Sequence, residues 1–100
     1  MEPREFFETL ASRIDESKAK GMTASYKFDI DGAGTWVVDV DDGKVTVTEG
    51  DGNADTTITT SAETFRKIAN REQNPTAAYM SGKLKVKGDM GQAMKLQKLF

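Results

Sequence analysis

The stretch ASYKFDIDGAGTWVVDVDDGKVTVTE, residues 24–49, decides the fold. At its start Ala24, Tyr26, Phe28 and Ile30 alternate with Ser25, Lys27, Asp29 and Asp31, the period-two pattern of a strand with one buried face. Asp31-Gly32-Ala33-Gly34 carries a turn signal, and Trp36, Val38 and Val40 then keep the same phase. Asp42-Gly43 is the dipeptide that the tightest hairpin turns favour, because both central residues need positive φ. Val45 and Val47 extend the phase through Glu49. Three consecutive strands joined by short turns predict an antiparallel meander.

Upstream, Pro3 suits a first helical turn, Glu5 and Glu8 favour the positive end of the helix dipole, and Lys18 and Lys20 favour the other. Phe6, Phe7, Leu10 and Ile14 recur at helical spacing as one apolar stripe, and Gly21 supplies a stop. Downstream of a polar loop, residues 55–60 read as a threonine-rich fourth strand around Ile58. Ser61 caps a helix with Glu63 in its first turn and Phe65, Ile68 and Ala69 on its buried side, ending near Asn70. Asn74-Pro75 opens a short helix holding Ala77, Ala78, Tyr79 and Met80, which Gly82 closes. Residues 83–87 alternate strictly, Leu84 and Val86 facing one way and Lys83, Lys85 and Lys87 the other. Asp89 then caps a last helix carrying Met90, Ala93, Met94, Leu96 and Leu99.

The order α-β-β-β-β-α-α-β-α predicts an α+β fold with one sheet, mostly antiparallel, and helices on one side of it. The two helices before the fifth strand leave it free to pair in parallel with an earlier strand through a crossover. Neither a repeat nor a linker divides the chain, so residues 1–100 read as a single domain.

Composition narrows the chemistry. With neither cysteine nor histidine, disulfides, the commonest zinc sites, Ser-His and Cys-His pairs and imidazole acid–base catalysis are all excluded. A net charge of -2 gives no global attraction to nucleic acid, and none is expected as a partner. No apolar run reaches the roughly 18 residues of a membrane span, and Lys98-Leu99-Phe100 is not a peroxisomal signal. The cytoplasm is the expected compartment.

Loops rich in Asp and Gly fail as calcium sites. Counting from Asp51, position six is Thr56 and position twelve Ala62; counting from Asp29, position five is Ala33 and position twelve Val40. Gly32-Ala33-Gly34 lacks the third glycine of a dinucleotide loop, whose place Val37 takes. Lys87-Gly88-Asp89 precedes a helix, where backbone N–H groups can hold an anion, but a turn at Gly88 and a cap at Asp89 are the simpler explanation. The lysine stripe suits anionic headgroups, yet it also guards an exposed strand against edge pairing, the simpler reading. Asp29, Asp31, Asp39, Asp41 and Asp42 sit at strand ends and turns, with nothing to mark a catalyst. Met80, Met90 and Met94 suit a pocket for a flexible apolar ligand, but taken alone core packing is the stronger reading.

From Asp55 onward the chain resembles the sterol carrier protein type-2 family. The likeness rests on Ala54-Asp55-Thr56-Thr57-Ile58-Thr59-Thr60-Ser61, on Phe65, and on the run from Pro75 through Gly82-Lys83-Leu84-Lys85-Val86-Lys87-Gly88-Asp89-Met90 to Met94-Lys95-Leu96. The Gly-Lys-Leu strand returning through Lys-Gly-Asp is its most specific part, and the upstream helix and meander agree in order and length. The resemblance implies a five-stranded, mostly antiparallel sheet under helices, with an apolar tunnel between the layers. It further implies binding of sterols, fatty acids or fatty acyl-CoAs and their transfer between membranes, with neither catalysis nor cofactor.

On that basis the expected lipid-binding residues are Ile14, Phe28, Trp36, Val38, Ile58, Phe65, Tyr79, Met80, Met90 and Met94. Phe6, Phe7 and Leu10 are expected to touch a membrane or to cover the pocket mouth. Two rivals stand beside this reading. One is a protein-interaction or dimerisation module that keeps the fold without a ligand; the other is an enzyme that works with carboxylates alone.

Overall fold

The computed structural model describes residues 2–13, 17 and 20–96. Helix α1 (Pro3–Arg13) is followed by strands β1 (Thr23–Asp31), β2 (Gly34–Asp41), β3 (Lys44–Glu49) and β4 (Thr56–Ser61). Helices α2 (Ala62–Ala69) and α3 (Pro75–Met80), strand β5 (Leu84–Gly88) and helix α4 (Met90–Leu96) complete the order expected from the sequence.

The five strands form one sheet in the order β3-β2-β1-β4-β5. β1, β2 and β3 make the expected antiparallel meander, with Phe28 opposite Trp36 and Val38 opposite Val47. At the hairpin turn between β2 and β3, Asp42 and Gly43 adopt φ of 49° and 88°, as the Asp-Gly pair demands.

The parallel pairing falls elsewhere than expected. β5 runs antiparallel to β4, with Ile58 opposite Val86, and the parallel pair is β1 with β4. The reason lies in residues 50–55. This loop leaves the edge strand β3 and crosses the polar side of the sheet, so that β4 starts on the far side of β1. Lys27 Nζ pairs there with Asp51, and the Asp55 amide donates to Ser25 Oγ at 2.8 Å. A Cβ added to Gly52 would lie 3.2 Å from Val37, which explains why Val37 is buried although Trp36 and Val38 on either side of it belong to the opposite, core-facing phase.

The starts of α2, α3 and α4 are built as their sequence requires. Ser61 Oγ accepts from the Thr64 amide at 3.1 Å, and Asn74 Oδ1 accepts from the Thr76 amide at 2.8 Å ahead of Pro75. Asp89 Oδ1 accepts from the Gln92 amide at 3.2 Å. Between the sheet and the helices lies a single apolar layer, formed by Phe6, Phe7 and Leu10 of α1, Phe65 of α2 and the inward positions of β1, β2 and β4.

Candidate functional site

The seam between the sheet and its helices has two ends of different character. At the α1 end it is filled by rings. Phe7 stacks on Trp36 with centroids 4.7 Å apart and on Phe65 at 5.3 Å, and it meets Phe28 at 5.1 Å. Phe6 closes the group edge-on against Phe65 at 5.0 Å. Phe28, Trp36, Val38, Ile58 and Phe65, five of the expected lipid contacts, are all buried in this layer.

This burial corrects the expectation that Phe6, Phe7 and Leu10 touch a membrane. They are 8%, 1% and 0% exposed. The sheet's inner face offers large apolar surface from Phe28, Trp36 and Val38, and α1 is the element that covers it. Its stripe is therefore spent on the core.

At the β5 end the seam opens. A depression of about 680 Å³ is lined by Thr59, Tyr79, Met80, Gly82, Leu84, Lys85, Val86 and Lys87, and it faces solvent. Leu84 and Val86 belong to the inward phase of the sheet, opposite Thr60 and Ile58, yet each is only half-buried. Tyr79 and Met80 are 43% and 81% exposed, and Met90 is 42% exposed. The structure therefore separates the expected set into a buried group of five and an exposed group of three. Ile14 and the side chain of Met94 lie outside the described residues.

Between the two ends sits a polar point that the expected set omits. Tyr26 is fully buried, and its hydroxyl donates to the Gln92 carbonyl of α4 at 2.7 Å. In the same row of the sheet, Thr56 Oγ1 donates to the Asp89 carbonyl at 3.0 Å. Gln92 Oε1 is buried with no hydrogen-bond partner among the described residues. Burial, with a smaller contribution from Asp89, pushes the Tyr26 phenol up to about 12. A signal for Tyr26 was present in the sequence: its strand phase turns it inward, and a buried phenol must find a partner. The alternation of residues 83–87 likewise put Leu84 and Val86 on one face, whereas no signal marked the Gln92 side-chain oxygen as buried.

The buried polar residues among those described are Thr56, Thr60 and Thr64, so no described carboxylate is buried. Among the described residues no group of three or more acids is placed to hold a metal ion. No helix among them is long and apolar enough to cross a membrane.

Comparison with known proteins bears on this geometry. The family model described as the SCP-2 sterol transfer family matches residues 5–100. Hydroxysteroid dehydrogenase-like protein 2 of Xenopus tropicalis is 37% identical over 101 residues, covering 97% of this chain and 24% of the relative. The chain thus spans about a quarter of the length of that protein. The solution structure of the sterol carrier protein domain 2 of Helicoverpa armigera superposes with a TM-score of 0.79 at 30% identity, covering 95% of this chain and 82% of that one. Pisa1, a stereoselective inverting sec-alkylsulfatase from Pseudomonas sp., superposes with a TM-score of 0.87 at 26% identity, over all of this chain and 16% of the enzyme.

Proposed function

This chain belongs to the SCP-2 sterol transfer family, and from that premise we propose that it reversibly holds a long apolar lipid, without catalysing a reaction on it. The occupant is a fatty acyl chain or a sterol-like body, and it enters at the β5 end of the seam. One observation carries this reading: the apolar inner face of the sheet does not end under a helix but runs out through Leu84 and Val86 into an open depression. Its volume, about 680 Å³, falls in the range of ligand pockets. Gln92 Oε1, unpartnered among the described residues and on the helix that receives the Tyr26 hydroxyl, is the acceptor proposed for a hydroxyl or protonated carboxyl on the guest. A binding role also suits inward polar groups that are hydroxyls and amides, since acid–base chemistry by carboxylates calls for a buried acid with a perturbed pKa. Transfer between membranes follows from reversible capture.

Native mass spectrometry of freshly purified protein, with displacement of a fluorescent fatty acid, tests this. Copurified lipid and displacement in the micromolar range are expected. Val86→Trp fills the depression and is expected to weaken binding at least about tenfold, or about 1.4 kcal/mol, while leaving the circular dichroism of the fold intact. Neither lipid nor displacement, in the parent chain, ends the proposal.

The packed rings of Phe7, Trp36, Phe28 and Phe65 favour a second reading, a dimerisation or interaction module whose seam is solid. It expects no lipid in the same spectra and a partner or a second copy instead.

A further inference from the structure

A chain with no cysteine leaves methionine as its only oxidisable sulfur, and the methionines whose side chains are described sit at three depths. Met22 is half-buried and packed against the core, Met90 is 42% exposed and Met80 is 81% exposed. The exposure of Met80 is built into the backbone of α3. Ala78 faces inward, and a residue two positions on points about 200° round the helix axis. The Ser81 amide donates to the Ala77 carbonyl at 3.0 Å and the Lys83 amide to the Ala78 carbonyl at 2.9 Å, which holds that phase at the helix end. Met80 nevertheless lines the depression, together with Tyr79, Leu84 and Val86, whereas Met22 and Met90 do not. One thioether is thus both open to water and part of the wall.

Exposure alone would let Met80 oxidise without consequence; its place in the wall couples that chemistry to the guest. We propose that Met80 is a modification site whose oxidation by a peroxide releases the lipid, an inference that rests on the binding role given above. Hydrogen peroxide transfers one oxygen to Met80 Sδ. Its O–O bond breaks, an S=O bond forms, the sulfur gives up two electrons to the peroxide, and one water leaves. The product is a sulfoxide, which methionine sulfoxide reductases return to the thioether. An unbranched thioether adapts to hydrocarbon of variable shape. A sulfoxide oxygen is an acceptor that must shed its water to lie against an acyl chain, and the hydrocarbon offers no donor in exchange. Oxidation therefore disfavours the filled state, and a guest in the depression covers the sulfur and slows its oxidation.

Peptide mass spectrometry of the full chain during hydrogen peroxide treatment tests the proposal, with fluorescent fatty acid binding measured on the same samples. Met80 is expected to gain oxygen ahead of Met90 and Met22. Saturating palmitate should slow the gain at Met80 and leave that at Met90 unchanged. The chain oxidised at Met80 should bind the fatty acid about fivefold or more weakly. A pair of methionine sulfoxide reductases, one for each sulfoxide epimer, should restore the starting affinity. Met80→Leu removes the sulfur, so peroxide should leave whatever affinity that variant has unchanged. Met90 or Met22 oxidising first, a rate at Met80 that palmitate does not slow, undiminished affinity after oxidation, or a Met80→Leu chain that loses affinity in peroxide as the parent does each overturns the proposal. An untreated parent that captures no fatty acid ends both readings, whereas capture that survives oxidation of Met80 ends this one alone.

Discussion

Tyr26 shows what one residue contributes at the middle of the seam. Its ring fills the core, and its hydroxyl ties β1 to α4 through the Gln92 carbonyl. Replacing it by Phe removes that bond while keeping the ring, at an expected cost of about 1 kcal/mol in urea unfolding. The phenol ionises at about 12 in the fold instead of 10.0. A raised value means that the fold prefers the protonated form. Its contribution is therefore fully present below pH 10, where folded and unfolded chains are both protonated, and is lost as pH climbs from there through about 12. The stability difference between the parent and Tyr26→Phe should shrink across that window and be flat below it. Gly88 is a second residue with a single physical task. Its φ is 107°, and a Cβ there would come within 2.3 Å of the Asp55 carbonyl, so the turn from β5 into α4 admits only glycine. The sequence made this Gly-Asp pair legible as turn and cap, whereas the close approach to Asp55 depends on strand pairing that no local pattern encodes.

The elements were legible wherever their ends carry chemistry. Ser61, Asn74-Pro75 and Asp42-Gly43 mark two helix starts and a hairpin, and each performs the role its residue type suggests. Ser61→Ala removes the acceptor for the Thr64 amide and is expected to cost about 1 kcal/mol, read as a lowered urea midpoint. The strand phase likewise placed Phe28, Trp36, Val38 and Ile58 on one buried face. What stayed hidden was the direction of short or crossing segments. In α3, six residues long, Ala78 is the residue that faces inward, leaving Tyr79 and Met80 outside. Apolar content alone does not say which side of so short a helix meets the core. The loop at residues 50–55 crosses the polar side of the sheet through the Lys27–Asp51 ion pair, hydrogen bonds from the Gly50 and Asp55 amides and the contact of Gly52 with Val37, too sparse a pattern to be read ahead of the fold.

At the scale of the molecule, the aromatic group under α1 ties four elements, α1, β1, β2 and α2, into one core. Phe7→Ala removes a ring stacked on Trp36 and Phe65. Such truncations cost about 3–5 kcal/mol, a large share of the roughly 5–15 kcal/mol that holds a domain together. The variant is expected to melt at a markedly lower temperature, and α1 should be the first element to lose amide-exchange protection. The lysine stripe at residues 83–87 was legible along the chain, but the sequence did not show that Lys85 and Lys87 share a wall with Met80.

The sheet order carries one more implication. β1 to β3 are wired by hairpins, and β4, α2, α3 and β5 follow one another closely, but Tyr26 meets Thr56 across thirty positions of chain. Two leaves that form locally are thus sewn together by a single parallel stitch. Refolding must wait for it, because closing the long loop comes before any contact repays the entropy. The last amides to gain protection in a pulsed-exchange experiment should be those that β1 and β4 share.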